Sequence, residues 1–442
     1  MNKTMRRRSP IGAPLSAALL AAWTGGALGQ DAAIPAPGGL AAAPSPYYLG
    51  ANQSFTHDSN VYRVPFGPSD NYSSTSLLAG FDQPFSRQRL FGTATVSLNR
   101  YQEQTALNNT SYGLLTGIDW ATIWKLSGNV TATLNQSLAA PAATVAAPSE
   151  TRNVLKRKGL SGLARWGGES VLSAEGRLGY STQDYSGAQY NAANTRNEYG
   201  SLGLFYHPGP RLQLGVAARL DRTRAPFAFQ LADGTFQGNE TRGRNLDFLA
   251  DYNNGNSLTA SGRLSYTRQT NTSVDTADFS GLTGSLNLGY RATGKIAFNL
   301  AASRDAGFNA TRSAYTPVVI TPTSVTTGPV STTAALYENN QVTNAVSAGV
   351  TYAATSKIGL TAGARYSHAR IITSAGGVTS GSQASSNVTD TSRGANLGVN
   401  YAFSRAWTFA CSLARERREV AGAFSYGYTD DVAACSAQFL WR

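Results

Sequence analysis

The stretch Phe279–Arg291, FSGLTGSLNLGYR, decides the fold. Leu282, Leu286, Leu288 and Tyr290 share one parity, while Thr283, Ser285, Asn287 and Gly289 share the other. Successive side chains on a strand point to opposite faces, so this segment has an apolar face and a polar one. A soluble sandwich would bury the apolar face against a second sheet. Here the polar face is built of Gly, Ser, Thr and Asn, the residues of a wall that lines water, and the same phrase recurs along the chain. That combination predicts an all-β chain, a transmembrane antiparallel up-and-down β-barrel that is apolar outside and wet within.

Composition agrees. The 442 residues carry 14% charged residues and 45 Gly, a low-charge, glycine-rich balance that suits a barrel wall better than a soluble enzyme. After the N-terminus no apolar run reaches the roughly 18 residues of a membrane helix. The N-terminus itself has Lys3, Arg6, Arg7 and Arg8, then an apolar stretch from Ile11 to Leu28 and the small residues Ala27 and Gly29. Residues 1–29 are therefore expected to be a cleaved signal peptide, which places the mature chain in the outer membrane of a Gram-negative bacterium. Its loss would lower the net charge of +12 by four, since it holds four basic residues and no acid. Residues 30–46 form a Pro/Ala-rich periplasmic leader, and 47–442 the barrel.

Tight turns are expected at Pro84–Gln88, Ala121–Thr122, Gly167–Gly168, Pro208–Pro210, Asn253–Asn256, Ala292–Gly294, Ala354–Ser356 and Ser404–Arg405. Longer connections alternate with them, among them Ala139–Arg152, Ala228–Asn239, Asn309–Tyr337 and Ser374–Thr391. The alternation implies about 18 strands, with short periplasmic turns and longer extracellular loops. The loop around Pro317–Pro329 is the candidate to cover or constrict the pore. Trp120, Trp124, Trp166, Trp407 and Trp441 share outward parity beside the short turns or the C-terminus, as an aromatic girdle requires. Tyr112, Tyr180, Tyr266 and Tyr366 mark a second girdle at the opposite strand ends.

With outward parity assigned, the charges sort. Arg87, Arg89, Lys125, Arg157, Arg165, Arg177, Arg211, Arg219, Arg263, Lys295, Lys357 and Arg365 are assigned to the lumen, against Asp82, Asp119, Glu175, Asp221, Asp247 and Asp251. A basic aqueous lumen of this kind favours anionic or polyhydroxylated solutes. Lys156, Lys158, Arg242, Arg244, Arg415 and Arg417 have outward parity at extracellular strand ends, where they would meet lipopolysaccharide phosphates.

Catalytic chemistry is missing from the pattern. His57, His207 and His368 are scattered and lack a nucleophile context. Gly289–Lys295 matches the spacing of a phosphate-binding loop, but Ile296 replaces the Ser or Thr that would hold magnesium and the match falls in a hairpin turn. Two cysteines without metal-ligand spacing argue against a metal centre, and no cofactor is expected. The basic residues are spread around the chain, so nucleic acid is not an expected partner.

Four motifs carry a resemblance: FTHDSNVYRVP (Phe55–Pro65), FDQPFSRQRLFG (Phe81–Gly92), NRYQ (Asn99–Gln102) and GIDWATIWKLSG (Gly117–Gly128). Together they resemble the EpsL-like outer-membrane β-barrel proteins associated with exopolysaccharide loci. That resemblance implies a polysaccharide substrate, periplasmic polysaccharide-export proteins as partners, and assembly by the barrel-assembly machinery. It carries no binding residue. Outer-membrane barrels usually end in an aromatic residue, whereas here Arg442 follows Trp441. The leading expectation is a barrel that passes an exopolysaccharide through a basic lumen. The alternatives are a general or anion-selective diffusion porin, and a non-conducting structural barrel of a surface-polymer complex.

Cys411 and Cys435 are equidistant from a hairpin turn near Gly422–Ala423 and share outward parity. Directly opposed residues on paired strands bring their Cβ atoms close enough for a disulfide, so the two are expected to be bonded in an oxidising compartment.

Overall fold

The computed structural model describes residues 46–139, 152–168, 170–230, 236–272, 278–313, 318–321, 324–327, 335–376, 384–421 and 427–441. The segment expected to be a signal peptide lies outside them, as do all but the last residue of the expected leader, residues 422–423 and Arg442. The strands are β1 (Tyr47–Asp58), β2 (Asp70–Phe85), β3 (Gln88–Tyr101), β4 (Asn109–Ala121), β5 (Leu126–Leu138) and β6 (Val154–Trp166). There follow β7 (Leu172–Tyr185), β8 (Thr195–Gly209), β9 (Leu212–Gln230), β10 (Phe236–Asn253), β11 (Leu258–Asn271), β12 (Phe279–Arg291) and β13 (Ile296–Ser313). The remainder are β14 (Val318–Thr321), β15 (Ser324–Thr327), β16 (Ala335–Ala353), β17 (Ile358–Gly376), β18 (Ala384–Ala402), β19 (Trp407–Ala421) and β20 (Tyr428–Trp441).

Eighteen of these strands form a single antiparallel sheet in which each pairs with its sequence neighbours, and β1 pairs with β20 as well as β2. The sheet is thus a closed barrel with no free edge, the one arrangement of strands whose backbone groups are all satisfied without water. β14 and β15 form a separate two-stranded hairpin inside the long connection that follows β13. Among the described residues no helix is long and apolar enough to cross a membrane, which leaves crossing by strands open.

The alternation read from the sequence is physical. In β12, Leu282, Leu286 and Tyr290 are 56%, 41% and 49% exposed on the outer face, while Thr283 is buried on the inner one. Inward polar groups meet across the ladder: Thr267 and Thr283 hydroxyls lie 2.7 Å apart and those of Ser76 and Ser97 2.8 Å. Phe205, also inward, is buried flat over the wall, and a Cβ at Gly215 would stand 2.4 Å from its ring. Glycine is needed there for close approach.

Three connections are shorter than the sequence suggested. β9 runs to Gln230 and β10 starts at Phe236, β17 runs to Gly376 and β18 starts at Ala384, and β13 and β16 reach Ser313 and Ala335. Several strands have 19 residues, where a bilayer needs only about 9–11. Beyond the apolar band of the outer face the hydrogen-bonded ladder continues without the apolar alternation that reveals it. Most of the Pro317–Pro329 loop lies outside the described residues or is the β14–β15 hairpin.

Candidate functional site

The lumen wall is the site, and its chemistry is pairing. On adjacent strands β6 and β7, Arg165 and Glu175 are register partners. Arg165 Nε donates to Glu175 Oε1 at 2.5 Å, and Arg177, two residues along β7 on the same face, donates to Oε2 at 2.9 Å. The Glu175 side chain is 1% exposed, held between two guanidiniums. Arg219 on β9 donates to Asp221 at 2.6 Å and to Asp247 on β10 at 2.9 Å. Arg263 lies 3.7 Å from Asp305, and Arg365 3.5 Å from Glu416. Arg89 clamps Asp82 through two hydrogen bonds of 2.7 and 2.6 Å and reaches Asp119 at 3.3 Å. Arg157 differs: it faces Gln183 at 3.4 Å and has no carboxylate within ion-pair distance among the described residues.

These placements correct the expected two-to-one basic excess. Asp58, Asp305, Asp390, Glu416 and Asp430 also face inward and were missed, because they stand beyond the apolar band, where the outer face no longer carries an apolar signal. Arg87 and Lys125 are not on the wall. Both sit in the turns that join β2 to β3 and β4 to β5, next to or at residues with positive φ, Ser86 at 56° and Lys125 at 61°, where strand parity stops. Arg211, Lys295 and Lys357 likewise occupy turns at that rim. Among the described residues the lumen is a mixed, largely neutralised surface.

Two connections at the opposite rim fold into the barrel. Residues 59–69 join β1 to β2, and their Val61 and Tyr62 are buried against Tyr101 and Leu107, with Tyr72 beside them. Tyr72 and Tyr101 are register partners whose side chains face inward. Arg63, 4% exposed, reaches Asp430 on the inner face of β20 at 3.5 Å. Asn60 Nδ2 donates to the backbone oxygens of Val64 at 2.7 Å and Thr429 at 3.1 Å, which pins the turn. The 3-10 turn Ala188–Ala193 between β7 and β8 stacks Tyr190 on inward-facing Tyr185, with ring centroids 5.7 Å apart. It lies against β9 and also against β13, on a distant part of the barrel, so it crosses part of the lumen. No sequence signal pointed to either segment.

On the outer face, Trp166, Trp407 and Trp441 are exposed at the rim of the tight turns, Trp120 is half-buried there, and Trp124 stands in the turn itself. Trp407 packs on Phe409 and Phe439, with centroids 6.3 and 5.1 Å apart. At the other rim Lys156, Lys158, Arg242, Arg244, Arg415 and Arg417 all point outward and are exposed. Arg415 pairs with Asp431 at 3.5 Å and Arg417 with Glu419 at 3.0 Å. Cys411 and Cys435 are register partners on β19 and β20 and are joined by a disulfide. No group of residues able to hold a metal ion occurs among the described residues.

No family model and no curated protein matches the chain, so the EpsL-like resemblance finds no support there. Among solved structures it is similar to the outer-membrane protein opdK from Pseudomonas aeruginosa, at 11% identity and a TM-score of 0.45, covering 89% of this chain and 99% of that one. OccK3 (OpdO) from the same organism gives 11%, 0.44, 89% and 95% in the same order. The siderophore receptor PirA from Acinetobacter baumannii gives 6%, 0.41, 90% and 81%. The fold itself rests on the closed ladder of this chain.

Proposed function

We propose that the chain is an outer-membrane diffusion channel that passes small polar solutes with little preference for either sign of charge. One observation carries this reading: a closed barrel of 18 strands whose outer face is apolar and whose inner face is polar and charge-paired. A barrel of that strand number encloses an aqueous interior rather than a packed one. Because the wall arginines are matched by carboxylates, the field that would make the lumen anion-selective is largely cancelled. Glycan export drew on barrel size, a basic lumen and the motif resemblance, and the pairing of the wall arginines weakens the second of these.

Planar-bilayer recording of the purified protein tests the proposal. The expected result is a stable conductance, a reversal potential close to zero in a salt gradient, and no block by added polysaccharide. A barrel that inserts and conducts nothing would overturn it in favour of a structural role, and block by a polysaccharide would restore the export reading.

A further inference from the structure

The outward charges are not evenly matched around the barrel. On β8–β11, Arg196, Arg222, Arg224, Arg242, Arg244 and Arg268 all project from the outer face at the rim opposite the tight turns. The ladder sets them side by side: Arg222 is the register partner of Arg242, Arg224 of Arg196, and Arg244 of Arg268. Among the described residues only two carboxylates on this face lie within ion-pair distance of them. Glu240 accepts from Arg222 through a short hydrogen bond, from Arg242 at 2.6 Å, and lies 3.4 Å from Arg224. Glu198 lies 3.6 Å from Arg224. By contrast, outward Arg415 and Arg417 each have their own acid.

Six guanidiniums around two carboxylates leave a strong local surplus. A shared carboxylate orients several arginines without cancelling them. Guanidiniums offer planar, paired donors that match phosphate oxygens, and they carry a looser hydration shell than lysine ammoniums. On β9, β10 and β11 the face turns apolar two residues further along, at Leu220 below Arg222, Leu246 below Arg244 and Tyr266 below Arg268, all more than 40% exposed. A molecule held here meets positive charge at one end and an apolar wall immediately beneath it.

We infer that the arginine cluster around Glu240 is a docking site for a phosphorylated glycolipid of the outer leaflet, its phosphates on the guanidiniums and its acyl chains along the wall beneath. The inference rests on the outer-membrane reading above. It assigns to one face of the barrel, and chiefly to Arg222, Arg224 and Arg242, a contact that the sequence spread over six residues around the rim.

The probe is bisphosphorylated lipid A in detergent micelles, with retention on the purified protein measured by native mass spectrometry. The wild type is expected to retain lipid A and to release its dephosphorylated form. The triple variant Arg222→Gln, Arg224→Gln, Arg242→Gln is expected to lose at least about tenfold in retention. Should it fail to fold, Arg244→Gln with Arg268→Gln removes charge without touching Glu240, and a reduced retention is again expected. The variant Arg415→Gln with Arg417→Gln should bind as the wild type does. Equal retention by wild type and cluster variants, equal retention of dephosphorylated lipid A, or full displacement by millimolar inorganic phosphate would each overturn the inference. Insertion of the wild type into phosphatidylcholine vesicles is scored separately: failure to insert removes the outer-membrane reading, whereas insertion without lipid A retention removes the docking site alone.

Discussion

Arg63 meets Asp430 at 3.5 Å inside the barrel mouth, tying the first inward-folded segment to the strand that closes the sheet. Asp430 stands beside outward Asp431, past the last outward apolar residue Leu413 on the neighbouring strand, so the pair lies beyond the apolar band. Burial pushes the Asp430 carboxyl well above the usual carboxylate range, neighbouring Asp58 adds to the rise, and Arg63 opposes it. An acid with a raised pKa is charged only above that value, so acidification uncharges Asp430 and loosens Arg63. Glu416 also faces the pair, and its charge adds to the rise. Single-channel recordings should show more frequent closures as pH falls from about 8 to about 5, as the freed segment samples the lumen. Asp430→Asn should show the acid behaviour throughout. Gating that ignores pH in the wild type would refute the link.

Glu175 is a buried acid of the wall and serves two arginines. Replacing it by Gln keeps the shape and leaves Arg165 and Arg177 without a counter-charge. Removing one partner of a buried ion pair costs on the order of 3–5 kcal/mol, and the partial exposure of both arginines places this case below that range. Selectivity should move towards anions, read as a shift of reversal potential in a salt gradient. Arg157→Gln, which breaks no ion pair, should move it the opposite way.

The Cys411–Cys435 disulfide closes a loop of sequence separation 24. In the chain-entropy picture a loop of that size contributes about 3 kcal/mol by restricting the unfolded chain. Alkylation of the denatured, unreduced protein should find no free thiol. The variant Cys411→Ser with Cys435→Ser should insert and conduct, yet lose its heat-resistant mobility at a lower temperature. Two titratable thiols per chain would show that the bond does not form.

Leu286 and Asn287 are neighbours on β12 with opposite surroundings. An arginine on the lipid face costs about 2–4 kcal/mol near the bilayer centre and far less in a wet lumen. Leu286→Arg should therefore cut folding yield into bilayers, while Asn287→Arg should fold and alter conductance. Equal tolerance of the two would argue that the outer face does not meet lipid.

The barrel was legible because its signal is local and repeated. Leu282, Leu286 and Tyr290 against Thr283 and Asn287 show their faces within thirteen residues. The Cys411–Cys435 pairing was legible for the same reason, since a hairpin fixes register by counting from its turn. The charge balance of the lumen was misread at the points where that signal stops. Parity fails in the turns, where Arg87 and Lys125 stand, and it fades past the bilayer, where Asp390, Glu416 and Asp430 face inward without an apolar alternation to mark them.

The sequence alone determined that the chain makes strands, about how many of them form the barrel, and which face of each is apolar, because those follow from period and turn residues. Only the tertiary structure decided that β1 closes on β20, that residues 59–69 and the Ala188–Ala193 turn fold into the lumen, and that six arginines gather around Glu240 and Glu198. The first depends on contacts between the two ends of the chain. The second depends on how inward side chains such as Tyr72, Tyr101 and Tyr185 receive an incoming segment. The third depends on inter-strand register, which sets Arg196 beside Arg224, Arg222 beside Arg242 and Arg244 beside Arg268, and no local pattern encodes that register.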